Sequence, residues 1–199
     1  MANLILIAGD LAAGKSTLAA SLSEQLNIVY ITKDSLKEIA CDAIDYSSRE
    51  ENRKLSIAAT DSMIYFFNQA ALVNQSLILE ANFRHDEVAR IKHIAEQYSY
   101  HVLLIRLTGD INLLYQRFLD RLLTRHKAHR SLNLDYSIDR FASYIDEIRS
   151  QDLIYPAYTI DMSDLDEDEV TEEALSIIHQ ELGPAGDDAS SASPGTARS

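Results

Sequence analysis

Hydrophobic residues follow two alternating rhythms along the chain. Short apolar runs of strand length occur at 3–8, 28–32, 76–81, 101–107 and 157–161. Between them, apolar positions recur every three or four residues. Leu18, Leu22 and Leu26 space one face of a helix over about 16–26. Leu55, Ala58, Ala59, Met63, Phe66, Phe67 and Ala70 mark a long helix over about 48–74. Val88, Ile91, Ile94 and Ala95 mark another. Leu113, Leu114, Phe118 and Leu122 mark a fourth, and Ile138, Phe141, Ile145 and Ile148 a fifth. Before residue 183 the only glycines are Gly9, Gly14 and Gly109, and the only proline is Pro156, so helices should run long and turns short. Five short strands divided by helices predict an α/β fold, a parallel sheet with helices on both faces. In such sheets ligands bind beyond the carboxyl ends of the strands. The chemistry is therefore sought at those five ends.

Composition narrows the class. A chain of 199 residues, 46% hydrophobic and 25% charged, suits one globular domain, taken here as 1–182. Residues 183–199 are Gly, Pro, Ala, Ser and Asp with no large apolar side chain, and read as a disordered tail. Cys41 is the only cysteine, which excludes a disulfide within the chain. No apolar run approaches the roughly 20 residues that span a bilayer, and Leu4–Ala8 is too short for a signal-peptide core. A cytoplasmic protein with no membrane partner is expected. The net charge of −13 sits mostly at one end: residues 161–199 hold eleven acids against Arg198 alone, and residues 1–160 hold 20 acids against 17 bases. The acidic run 161–173 reads as a strand end followed by a capped surface helix. Without a broadly basic face, a nucleic-acid partner is disfavoured.

The first strand end carries the sharpest signal. Gly9-Asp10-Leu11-Ala12-Ala13-Gly14-Lys15-Ser16-Thr17 matches G-x-x-x-x-G-K-[ST] in full. Such a loop turns backbone N–H groups inward around phosphates, and the glycines permit that turn. Lys15 would reach the β- and γ-phosphates, and the Ser16 hydroxyl would ligate Mg²⁺. The following helix would aim its positive end at the anion. ATP and Mg²⁺ are the cofactors predicted, with residues 9–17 as their cradle.

The other strand ends add chemistry. Asp34, about twenty residues past the loop, is placed to accept a proton from an attacking hydroxyl; Asp34 or Ser35 also suits a helix N-cap. Lys37 lies one turn on, on the same face. The third strand ends at Glu80, a candidate for metal, through water, or for substrate; Asn82 and Arg84 follow as candidates for substrate contact. Past the fourth strand, a predicted lid over about 110–135 holds a basic run. From 117 to 130 there are five bases and one acid, with His126 and His129 besides. Arg117, Arg121 and Arg125 recur at i, i+4 and i+8, which would line them on one helix face. A row of guanidinium groups fits a triphosphate and the charge that moves during its transfer. Arg121 and Arg125 are therefore predicted as catalytic. The helices over about 35–74 would wall the acceptor pocket, with Tyr46, Tyr65 and Phe67 as possible lining.

Together these positions resemble the P-loop kinases of small substrates, in particular polynucleotide 5′-hydroxyl kinases and zeta-toxin-like kinases. The likeness covers roughly residues 3–160. It rests on the loop at 9–16, on Asp34-x-x-Lys37, on Glu80-Ala-Asn82 and on the Arg117/Arg121 helix. It implies a P-loop NTPase fold with strand order 2-3-1-4-5, ATP on the loop, Asp34 as general base and Arg121 clamping phosphates. Thr159 and Asp161 would border the adenine, again by likeness alone. Two departures stand out: the group carries Arg where this chain has Lys37, and Asp where it has Glu80. Lysine lacks the bidentate fork that grips a substrate phosphate. The reading expected is a kinase moving the γ-phosphate of ATP to a hydroxyl of a small molecule. A polynucleotide 5′-hydroxyl kinase and an ATP-dependent switch protein are the alternatives.

Overall fold

A computed structural model describes residues 2–122, 124–129 and 137–183. The tail beyond Gly183, and Arg130 with the rest of the predicted lid to 135, lie outside the described residues. The chain alternates strand and helix: β1 (Asn3–Gly9), α1 (Lys15–Leu26), β2 (Val29–Thr32), α2 (Lys33–Ala43), α3 (Arg49–Leu72), β3 (Leu77–Glu80) and α4 (His85–Gln97). It continues with β4 (His101–Thr108), α5 (Ile111–Arg121), a single 3-10 turn at Lys127–His129, α6 (Ile138–Arg149), β5 (Ala157–Asp161) and α7 (Glu167–Leu182). The strands form one sheet in the order β2-β3-β1-β4-β5, with every pairing parallel.

The period-two alternation of β1 explains the three layers. Ile5 and Ile7 face a core shared with Leu18 and Leu22 of α1, Leu114 and Phe118 of α5, and Ala174 and Ile178 of α7. Leu4, Leu6 and Ala8 face the opposite core, filled by Met63 and Phe67 of α3 and Val88 and Ile91 of α4. The central strand is thus covered on both sides, which is why its sequence runs apolar without a break. Phe67, expected as a candidate for pocket lining, is fully buried and meets Tyr100 edge-on at 5.2 Å between ring centroids. Tyr65 is 60% exposed on the far face of α3. Neither lines the crevice.

Local signals set the helix ends. Ser48 and Glu51 form a reciprocal capping box at the start of α3, and Asp166 and Glu169 do the same for α7. The acidic stretch after β5 is largely this cap and the first turns of α7. At α2 the capping residue is Thr32, whose hydroxyl accepts from the Ser35 N–H at 3.1 Å, so Asp34 and Ser35 are not the cap. Thr32 is the last residue of β2 and already extended, which is the backbone state that a cap requires. Asp34 is left free of that duty. Among the described residues no helix is long and apolar enough to cross a membrane.

Candidate active site

The register of the sheet gathers the predicted groups at one end. Thr32 of β2 and Ile7 of β1 both pair with Glu80, so the ends of the three strands lie side by side. Past β1 the chain turns through the glycine loop. Gly9 has φ +129° and a Cβ there would fall 2.0 Å from the Leu107 carbonyl oxygen, so only glycine lets β1 approach β4 so closely. Gly14 caps α1 at φ +85°, and Ala12 also sits at positive φ.

Lys15 is buried and donates to the carbonyl oxygens of Gly9 at 3.1 Å and Asp10 at 2.7 Å. Burial lowers the pKa of its ammonium, opposed by the charges of Glu80, Asp34 and Asp10. Ser16 donates its hydroxyl to Glu80 Oε2 at 3.0 Å. Glu80 is buried, and burial raises its carboxyl pKa against the pull of Lys15 and the Ser16 hydroxyl. An ammonium, two carboxylates and a hydroxyl therefore meet at the mouth of the loop.

Asp10 has a different task from its loop neighbours. Its carboxylate is fully buried and accepts from Arg149 Nε at 3.1 and 3.2 Å, from Arg149 Nη2 at 2.6 Å, and from the Gly109 N–H at 3.3 Å. The side chain braces the loop against the end of α6, and what it offers an anion is its backbone. Arg149 lies outside every motif, and only its distance in space marks it.

The basic row is not one helix face. Helix α5 ends at Arg121, and Arg125 follows in a turn. Further on, the Tyr46 hydroxyl donates to Lys127 O at 2.8 Å and Asn52 Nδ2 to Ala128 O at 3.1 Å, which ties the 3-10 turn to α3 and the residues before it. The arginines part company. Arg117 and Arg121 border a cleft of about 330 Å³ beside Ala13, Gly14 and Thr17, with Met162 also in its lining. Arg117 also donates to Met162 Sδ at 3.4 Å. Arg125 instead lies close enough to Lys15, Lys37 and His129 to depress the pKa of each. Thr159 and Asp161, expected at a nucleobase edge, do not border that cleft; Met162 and Leu165 just beyond them do.

On the other side of the loop, α2, α3 and the 127–129 turn come together. Asp34 is exposed at the mouth and lies 3.8 Å from His129 Nδ1. Lys37 donates to Asn52 Oδ1 at 2.8 Å, so it is braced against α3. Asn82 Oδ1 is buried with no hydrogen-bond partner among the described residues. Arg84 is exposed at the start of α4, where its N–H donates to Glu87 Oε2 at 3.0 Å. Asn52 and Arg149 carry no local signal as site residues, since each is a single polar position on a helix. The acids Asp34, Glu38 and Asp42 did have one, a spacing of four residues that makes a stripe along α2.

Comparison with known proteins places the fold. The profile of the Zeta toxin family matches residues 2–166. A provisionally assigned kinase from Chloroflexus aurantiacus superposes with a TM-score of 0.72 at 26% identity, covering 88% of this chain and 97% of that one. A gluconokinase from Sinorhizobium meliloti gives 0.59 at 13% identity, covering 89% and 92%. Shikimate kinase from Bacteroides thetaiotaomicron gives 0.59 at 16%, covering 90% and 98%. The last two share the fold alone. No curated protein matches the chain significantly in sequence.

Proposed function

The chain belongs to the Zeta toxin family, and from that premise we propose that it is an ATP-dependent kinase that phosphorylates a hydroxyl of a small molecule, with Asp34 as general base. The observation that carries this reading is the meeting of Lys15, Ser16, Glu80 and Asp34 at the ends of β1, β2 and β3, with Asp34 free of the helix cap.

The residues fit the groups the reading needs. Ser16 and Glu80 offer oxygen donors 3.0 Å apart at the phosphate end of the loop, the donor type that suits Mg²⁺. When bound, Mg²⁺ would neutralise charge on the β- and γ-phosphates. The backbone N–H groups of residues 9–17 cradle the phosphates, and Lys15 exchanges its two carbonyl partners for phosphate oxygens. Arg117 and Arg121 flank the nucleotide cleft. Arg125, on the acceptor side of Lys15, stabilises the charge of the phosphoryl group as it moves. Asp34 accepts the acceptor's hydroxyl proton as that oxygen bonds to the γ-phosphorus and the bond to the β-phosphate oxygen breaks. The orphaned Asn82 Oδ1 and the braced Lys37 hold the acceptor beside Asp34.

The test is ATP–Mg²⁺ turnover with and without pooled small hydroxyl compounds and 5′-hydroxyl oligonucleotides, using Lys15→Ala and Asp34→Asn. Stimulation by a small-molecule pool that disappears in both variants, with ATP binding kept in Asp34→Asn, supports the reading. Stimulation by oligonucleotides alone moves the acceptor to polynucleotide ends. Normal turnover by Asp34→Asn removes the base.

A further inference from the structure

A single imidazole sits between two acids of α2. His129 Nε2 is 2.9 Å from Glu38 Oε1, and its Nδ1 is 3.8 Å from Asp34 Oδ1. The ring is almost fully enclosed, with 8% of the side chain exposed, whereas Asp34 is 59% exposed toward the crevice. The turn that carries it is fixed independently, by Tyr46 on Lys127 O and Asn52 on Ala128 O. On the neighbouring turn of α2, Asp42 takes His126 Nε2 and Lys127 Nζ, each at 3.1 Å. The basic run therefore closes onto the acidic stripe of α2, with His129 aimed at the base.

We propose that His129 is a positioning residue that orients Asp34 and takes onward the proton that Asp34 removes from the acceptor. The inference rests on the reading of Asp34 as general base. The chemistry of the ring gives it direction. An ionised Glu38 can only accept, so the neutral ring places its one proton on Nε2. Nδ1 is then a lone pair facing Asp34. Once Asp34 holds the acceptor's proton, it can donate that proton to Nδ1 after an approach of about 1 Å to hydrogen-bond distance. The product is an imidazolium between two carboxylates and an ionised Asp34, ready for another hydroxyl. The proton leaves His129 to solvent when the product departs.

The charges around the ring suit this role. Burial lowers the His129 pKa; Asp34 and Glu38 raise it, and Arg125 and Lys37 lower it. The His126 ring lies 6.4 Å away between centroids. The net direction is downward, which keeps the ring neutral and able to receive a proton near neutral pH. A plain latch would need no free nitrogen on the Asp34 side.

The experiment pairs kinetics with a direct reading of the ring. Turnover with the stimulating acceptor pool is followed against pH for the wild type, His129→Gln, Asp34→Asn and the double variant. The relay predicts that His129→Gln loses about tenfold in kcat, a fraction of what a general base supplies, with KM for ATP unchanged. It predicts that the acid limb set by the imidazole vanishes in His129→Gln, and that the double variant is no worse than Asp34→Asn. Nitrogen NMR of the wild type should show the Nε2–H tautomer, and Asp34→Asn should move the His129 titration to lower pH. Unchanged kcat and acid limb in His129→Gln, with Asp34→Asn inactive, overturn the relay and leave the base standing. Turnover that survives Asp34→Asn overturns the base and the relay with it. Should His129→Gln not fold, the NMR decides: an Nδ1–H tautomer, or a titration unmoved by Asp34→Asn, overturns the relay.

Discussion

Replacing Arg149 with methionine tests how the nucleotide loop is held. The substitution keeps most of the apolar stem and removes the guanidinium. Asp10 is fully buried, and Arg149 makes three of the four contacts to its carboxylate; only the Gly109 N–H at 3.3 Å would remain. The variant also loses the bond from Arg149 Nη2 to Gly109 O at 2.7 Å. Breaking a buried pair at one partner costs about 3–5 kcal/mol. The Arg149 side chain is 36% exposed, so water can reach part of the site and a loss of about 2–4 kcal/mol is expected. For a domain of this size, ~1 kcal/mol corresponds to about 2–4 °C, so Tm should fall by roughly 6–12 °C for a mid-range loss. Thermal unfolding followed by circular dichroism at neutral pH measures it. The double variant Asp10→Asn, Arg149→Met removes both charges of the pair and should recover much of the loss. A fall of less than about 2 °C, or strict additivity in the double variant, would refute the idea that this pair braces the loop.

Further outcomes follow from the same geometry. Gly9→Ala forces a Cβ to within 2.0 Å of the Leu107 carbonyl and should cost about 3 kcal/mol or more; Gly14→Ala meets nothing within 4 Å and should cost about 1 kcal/mol through its positive φ, so denaturant melts of the two should differ clearly. Glu51 accepts from Ser47 N and Ser48 N at 2.7 and 3.1 Å, which holds its carboxyl below the ordinary value of 4.5. Its contribution to folding is present above that value and lost as pH falls through the lower folded value. The Tm gap between wild type and Glu51→Ala should accordingly close on acidification. Arg117→Ala should raise KM for ATP, while Arg125→Ala should lower kcat by about a hundredfold with a smaller effect on KM, because Arg117 borders the cleft beside the loop whereas Arg125 lies near Lys15, Lys37 and His129. Equal kinetic defects in both would contradict that division.

Sequence and structure divide the account along a physical line. The sheet was legible because a strand covered on both faces must be apolar throughout, as in Leu4–Ala8, and because helices show their period. The loop at 9–17 was legible because its whole apparatus lies in nine consecutive residues. The cap of α2 lies two or three residues before the positions the sequence suggests: Thr32, Asp34 and Ser35 all have capping side chains, and only the extended backbone at the end of β2 selects Thr32. Arg117, Arg121 and Arg125 recur at helical spacing, yet α5 ends at Arg121, and the groups that tie down the turn beyond it, Tyr46 and Asn52, are more than seventy residues away in sequence.

What the sequence by itself determined is therefore the local and the periodic: the strands, the helices, the phosphate loop and the candidates at each strand end. The tertiary structure alone decided the pairings. Asp10 finds Arg149 across 139 positions, and Asp34 finds His129 across nearly a hundred. Hydrogen bonds and ion pairs are set by distance in space, and a sequence reports only distance along the chain. The separation of Arg121, beside the cleft, from Arg125, near Lys37 and His129, belongs to the same class, since it follows from where α5 ends.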